Sequence, residues 1–111
     1  MPTRFQVSLG RKAQQDIEEI WSFIAKDSSD DATRFIQRLD EQVTTLESFP
    51  ERCPLISENK LMHSRYRHLI YGKYRTIFRI AKRTVFVVRV IHSARLLTTT
   101  FFESVGDAKE D

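Results

Sequence analysis

Apolar and polar positions follow two different periods along this chain, and the change of period divides it into a helical part and a strand part. From Arg11, the residues Ala13, Ile17, Ile20, Trp21 and Ile24 recur at intervals of three and four. Gln15, Asp16, Glu18 and Glu19 fall opposite them, which predicts an amphipathic helix. Ser8 is the expected N-cap, its hydroxyl taking up a free backbone N–H. The polar run Lys26 to Asp31 interrupts the pattern and offers new capping side chains. A second stripe follows in Ala32, Phe35, Ile36, Leu39, Val43 and Leu46, and Phe49-Pro50 closes it, because a residue before proline is pushed out of the α region. Two helices joined by a short polar turn predict an antiparallel α-hairpin.

Residues 50–64 contain two prolines and mixed polarity and are expected to be a connecting loop. The period then becomes two. Tyr66 to Tyr71 is the expected first strand of this part, Gly72-Lys73 a tight turn, and Tyr74 to Ile80 the next strand. Tyr74, Thr76, Phe78 and Ile80 should point one way and Arg75, Ile77 and Arg79 the other. After a turn at Ala81 to Arg83, Thr84 to His92 is a strand rich in Val, Ile and Phe. On it, strict alternation places Phe86, Val88, Val90 and His92 on one face and Val85, Val87, Arg89 and Ile91 on the other. Thr3 to Ser8 alternate well enough for a strand at the sheet edge. The expected fold class is therefore α+β, with the order β-α-α-β-β-β and an antiparallel meander sheet packed against an N-terminal helical hairpin.

Composition adds limits. At 111 residues with 41% hydrophobic and 11% aromatic content, the chain has enough apolar material for one core. The expected division is one domain over residues 1–97 and an acidic tail over 98–111. No apolar run reaches the length of a membrane-spanning helix, the N-terminal residues lack a signal-peptide pattern, and a lone Cys53 excludes a disulfide framework. A cytoplasmic protein with no membrane association is expected. His63, His68 and His92 have no Cys, Asp or Glu at ligand spacing, so neither a metal nor a cofactor is expected. Cys53 reads as a semi-buried thiol.

Charge is distributed unevenly along the chain. The formal net charge is +3, but residues 1–50 carry a net −3, residues 51–97 a net +9 and residues 98–111 a net −3. So basic a segment is an electrostatic footprint for nucleic acid or an acidic protein partner. If the helices cover the Phe/Val/Ile face of the sheet, Arg75, Arg79 and Arg89 form one exposed cluster on the other face. His92 and Arg95 close the last strand, where a histidine beside arginines suits general acid–base work on a phosphodiester. The bland alternative for His92 is a hydrogen bond to backbone at the strand end.

The run from Arg67 to Ile80, the apolar strand Val85 to Val90, and His92-Ser93-Ala94-Arg95 resemble the RelE/ParE toxin superfamily, as do Leu46 to Pro50 at the end of the second helix. The resemblance covers about residues 3–97, with Phe78 where many members have Tyr. It implies the toxin of a type II toxin–antitoxin pair, associated with a cognate antitoxin in a hetero-oligomer. Two activities occur in the superfamily. RelE-like members cut messenger RNA on the ribosome; ParE-like members poison DNA gyrase. Carried over from RelE, Arg75 matches the phosphate-stabilising Arg. Tyr66 and His68 stand in place of the second-strand lysines, Ser93 in place of a later Arg, and no Tyr follows Tyr74. A substituted catalytic set would be Arg75, His92 and Arg95. The long helices and the His-x-x-Arg ending look more ParE-like. On that reading Arg67, Arg75, Arg79, Arg89 and Arg95 are binding residues for target or antitoxin, the chain is not an enzyme, and the expected target is gyrase. The alternatives are a ribosome-dependent endoribonuclease and a non-toxic degenerate member acting as a binding module.

Overall fold

A computed structural model describes residues 4–95, apart from the side chains of Leu61 and Met62. The elements in chain order are β1 (Gln6–Leu9), α1 (Arg11–Ala25), α2 (Ser29–Thr44), a short α3 (Asn59–Met62), β2 (Arg67–Tyr71), β3 (Tyr74–Ala81) and β4 (Thr84–His92), with single 3-10 turns at Thr45–Glu47 and Pro50–Arg52. The α+β class and the hairpin-then-strands order are as the periodicity predicts. The acidic tail lies outside the described residues, as do Phe101 and Phe102.

Local chemistry explains most boundaries. Ser28 caps α2, its Oγ accepting the Asp31 N–H at 3.1 Å, and Asp30 and Asp31 place negative charge at the positive end of the helix dipole. Ser8 does not cap α1. It lies within β1, and the N-cap is Gly10, whose N–H donates to the Val87 carbonyl at 2.9 Å. A Cβ there would meet that carbonyl oxygen at 3.2 Å, so glycine lets the chain turn into α1 hard against β4. α2 ends five residues before Phe49, tightening into a 3-10 turn. Phe49 then takes left-handed φ of 50°, consistent with exclusion from the α region before Pro50. Gly72, with φ of 60°, makes the two-residue turn between the paired Tyr71 and Tyr74.

The sheet order is β1-β4-β3-β2. β2, β3 and β4 form an antiparallel meander, whereas β1 joins β4 in parallel, with Val7 opposite Val85 and Leu9 opposite Val87. The sheet is therefore mixed, because a helical hairpin between β1 and the meander returns the chain in the direction a parallel neighbour needs. The helices cover one face. There Ala13, Ile20, Leu39, Val43 and Leu46 pack on Phe78, Val85, Val87 and Val90, and Phe35 lies 5.5 Å from the Tyr71 ring and 5.6 Å from that of Tyr74. A second, smaller core of Ile56, Ile77, Val88 and Ile91, with Tyr66 against it, lies on the other face under the segment between α2 and β2.

The strict alternation expected along β4 fails at a bulge. Ile77 pairs with Arg89 but Phe78 with Val87, leaving Val88 as the extra residue. Val87 and Val90 consequently belong to the helix-side core and Val88 and Ile91 to the other, a spacing of three in each case.

Candidate functional site

The expected exposed cluster of Arg75, Arg79 and Arg89 does not form, and each arginine meets a different fate. Arg89 is only 4% exposed. The bulge directs it to α1, where its Nε donates to Asp16 Oδ2 at 2.7 Å and its Nη2 to Oδ1 at 3.0 Å. Asp16 Oδ2 also accepts the Val90 N–H at 2.9 Å, so one carboxylate holds both side chain and backbone at the bulge. Asp16 was expected on the polar side of α1. It is buried between Ala13 and Ile20, three residues after one and four before the other, and that spacing places it at the margin of the apolar stripe.

Arg75 is also 4% exposed. It lies on the side of the sheet away from the hairpin, but the segment leading to β2 closes over it and supplies Glu58, itself buried. Arg75 Nη2 donates to Glu58 Oε2 and, at 2.6 Å, to the carbonyl of Arg95. Its Nη1 lies 3.2 Å from His68 Nδ1; a guanidinium is always a donor, so Nδ1 accepts and the imidazole proton sits on Nε2. Burial, and then the adjacent Arg75 charge, push the His68 pKa below its ordinary 6.5, against a smaller opposing pull from Glu58. Asn59 organises the covering segment. Its Nδ2 donates to the Tyr66 carbonyl at 2.7 Å, while its Oδ1 accepts from Ser64 Oγ at 2.8 Å and from the Tyr66 N–H at 3.0 Å. Glu58 carried no periodic signal, since it lies in irregular chain between Pro54 and the short α3. Its being one of only two acidic residues in an otherwise basic stretch was the available hint.

Arg79, four residues along the same strand face, is half-buried with its guanidinium 4.7 Å from the Phe86 ring centroid. Arg67 anchors the start of β2 by donating from Nη1 to the carbonyls of Cys53 at 2.5 Å and Glu51 at 3.1 Å. Together with Ser64, Arg65, Tyr66, Glu51 and Ile80, these two arginines line an open groove of about 390 Å³. Tyr66 has its phenol pKa raised by burial, partly offset by the Arg79 charge. Cys53 is buried, and burial raises its thiol pKa against the influence of Arg52 and Arg67, which makes it a poor nucleophile.

His92 is exposed at the end of β4. Its Nδ1 accepts the Ala94 N–H at 3.1 Å, the backbone contact of the bland alternative, and its ring stands edge-on to Tyr74 at 5.7 Å. Arg95 is exposed and meets Arg75 through its own carbonyl. The three residues of the expected catalytic set thus share one end of the sheet, but Arg75 is turned into an ion pair there.

No helix among the described residues is long and apolar enough to cross a membrane. Residues 7–97 match the family model of the ParE toxin of the type II toxin–antitoxin system, parDE. Among solved structures, one described as the chromosomal ParDE TA system from P. aeruginosa is similar in fold, with a TM-score of 0.64 and 18% identity over 81% of this chain and 97% of that one. No curated protein sequence gives a match. The family match spans all three helices, β2, β3, β4 and all but the first residue of β1, and this chain belongs to the ParE toxin family of type II toxin–antitoxin systems.

Proposed function

We propose that this chain arrests growth by binding DNA gyrase, without cutting RNA, and that a cognate antitoxin holds it inactive in a hetero-oligomer. The observation that carries this reading is the burial of Arg75. The resemblance to RelE-like nucleases implies a role for that guanidinium at a messenger phosphate, and here it is 4% exposed and paired with the Glu58 carboxylate. Freeing it would leave a buried carboxylate without its partner, a cost of about 3–5 kcal/mol. His92 spends Nδ1 on the backbone. The family match supports the toxin role, and the similarity to the ParDE structure supports an antitoxin partner. Of the residues expected to bind target or antitoxin, Arg79 and Arg67 line the open groove and Arg95 is exposed, whereas Arg75 and Arg89 serve the fold.

The test is supercoiling of relaxed plasmid by purified gyrase with added toxin, followed by addition of the antitoxin. Loss of supercoiling, relieved by the antitoxin, is the expected result. Unimpaired gyrase together with cleaved messenger in a translating extract would establish the nuclease instead. Neither effect would leave a non-toxic binding module.

A further inference from the structure

β3 runs on from Arg79 to Ala81 beyond the point where β2 begins, since Arg67 is paired with Phe78. The groove lies at this step in the sheet. Arg65, Arg67 and Arg79 line it, and the β3–β4 turn next to Ile80 adds the exposed Lys82 and Arg83. Against these cations the groove presents one carboxylate, Glu51, at its rim. Two of the guanidiniums are held in place before any partner arrives, Arg67 by two backbone carbonyls and Arg79 by the Phe86 ring. The charge is spread along a stripe, which suits a repeating polyanion better than a single carboxylate.

We infer that this groove and the adjoining turn bind the phosphate backbone of duplex DNA. Duplex DNA presents roughly one negative charge per 1.7 Å of its axis, dense enough to engage several of these cations together. Single-stranded nucleic acid is the poorer fit, because it is held by stacking bases on exposed aromatic rings. The aromatic residue lining the groove, Tyr66, is half-buried and packs against Ile56, Ile77, Val88 and Ile91. The contact reads charge and shape with no base-edge readout, so affinity should be independent of sequence and strongly dependent on salt. The inference goes beyond gyrase as a target and stands without it. If gyrase is the target, the same groove would touch the DNA that gyrase holds.

The test is fluorescence anisotropy of a short labelled duplex titrated with the full chain between about 50 and 200 mM salt. The double variant Arg65→Glu/Arg83→Glu should bind about tenfold more weakly or worse, with the slope of log affinity against log salt reduced by about two. Arg38→Glu, an exposed reversal on α2, should stay within about twofold of the parent, and Glu51→Gln should bind more tightly, a gain that misfolding cannot mimic. Equal losses from the groove and α2 variants, or a single strand of equal length bound as tightly as the duplex, would overturn the inference. Gyrase supercoiling measured on the same preparations separates it from the target: a weakened duplex affinity with unchanged gyrase inhibition upholds the groove.

Discussion

Arg75 and Arg79 are the same residue type on the same face of one strand, four positions apart, and they have opposite environments. At the Arg75 end, the segment leading into β2 folds over the sheet and delivers Glu58, so the guanidinium is enclosed and neutralised. At the Arg79 end β2 has not begun, and the half-buried guanidinium lies over Phe86 beside an open groove. Strand parity determines which face an arginine takes. What that arginine does there depends on the irregular chain packed above it.

The contrast can be broken most severely at its closed end. Glu58→Ala leaves a buried Arg75 charge uncompensated and should destabilise the fold by about 3–5 kcal/mol in urea unfolding. The double change Glu58→Leu/Arg75→Met, which removes both charges, should recover most of that loss. Asp16→Ala should cost a similar amount of about 3–5 kcal/mol, since it strands Arg89 and also frees the Val90 N–H. An effect below about 1 kcal/mol, the range of exposed pairs, would mean that these pairs are solvated in solution.

Ser28→Ala should cost about 1 kcal/mol through loss of the α2 cap. Local structure of this kind was legible in the sequence. A cap within Lys26 to Asp31, helices α1 and α2, the Gly72 turn and the full extent of β4 followed from residue type and period, because each depends on neighbours within a few positions. The cap expected at Ser8 did not form, because that residue lies in β1. The parallel pairing of β1 with β4 depends on where a helical hairpin returns the chain, and no local pattern encodes it. The bulge hid in Val87-Val88-Arg89-Val90, where alternating and slipped registers both place apolar residues inward. Glu58 and Asp16 carried charge, and charge alone pointed to solvent. Only their partners, 17 and 73 positions away, explain their burial. The expected arginine cluster failed for that reason.

A smaller effect belongs to His68. Its folded pKa lies below 6.5, so near and below that value the unfolded chain binds more protons than the folded one. Stability from this group is full above about pH 6.5 and declines as pH falls toward the folded pKa. His68→Gln should flatten that part of the unfolding-versus-pH curve; an unchanged slope would assign it to another group. At the open end, Arg79→Ala should cost about 0.5–2 kcal/mol, the worth of a partly desolvated cation–π contact. A cost matching that of Glu58→Ala would erase the distinction between the two ends.

Whether this sheet end is structural or catalytic is decided most directly in growing cells. Expression is induced without antitoxin, and incorporation of labelled thymidine and labelled methionine is followed over the first minutes, for the parent chain and for His92→Ala. A structural role for this sheet end, with gyrase as the target, predicts that thymidine incorporation falls first while methionine incorporation continues, and that His92→Ala is as toxic as the parent. Methionine incorporation stopping first, and surviving in His92→Ala, would contradict it.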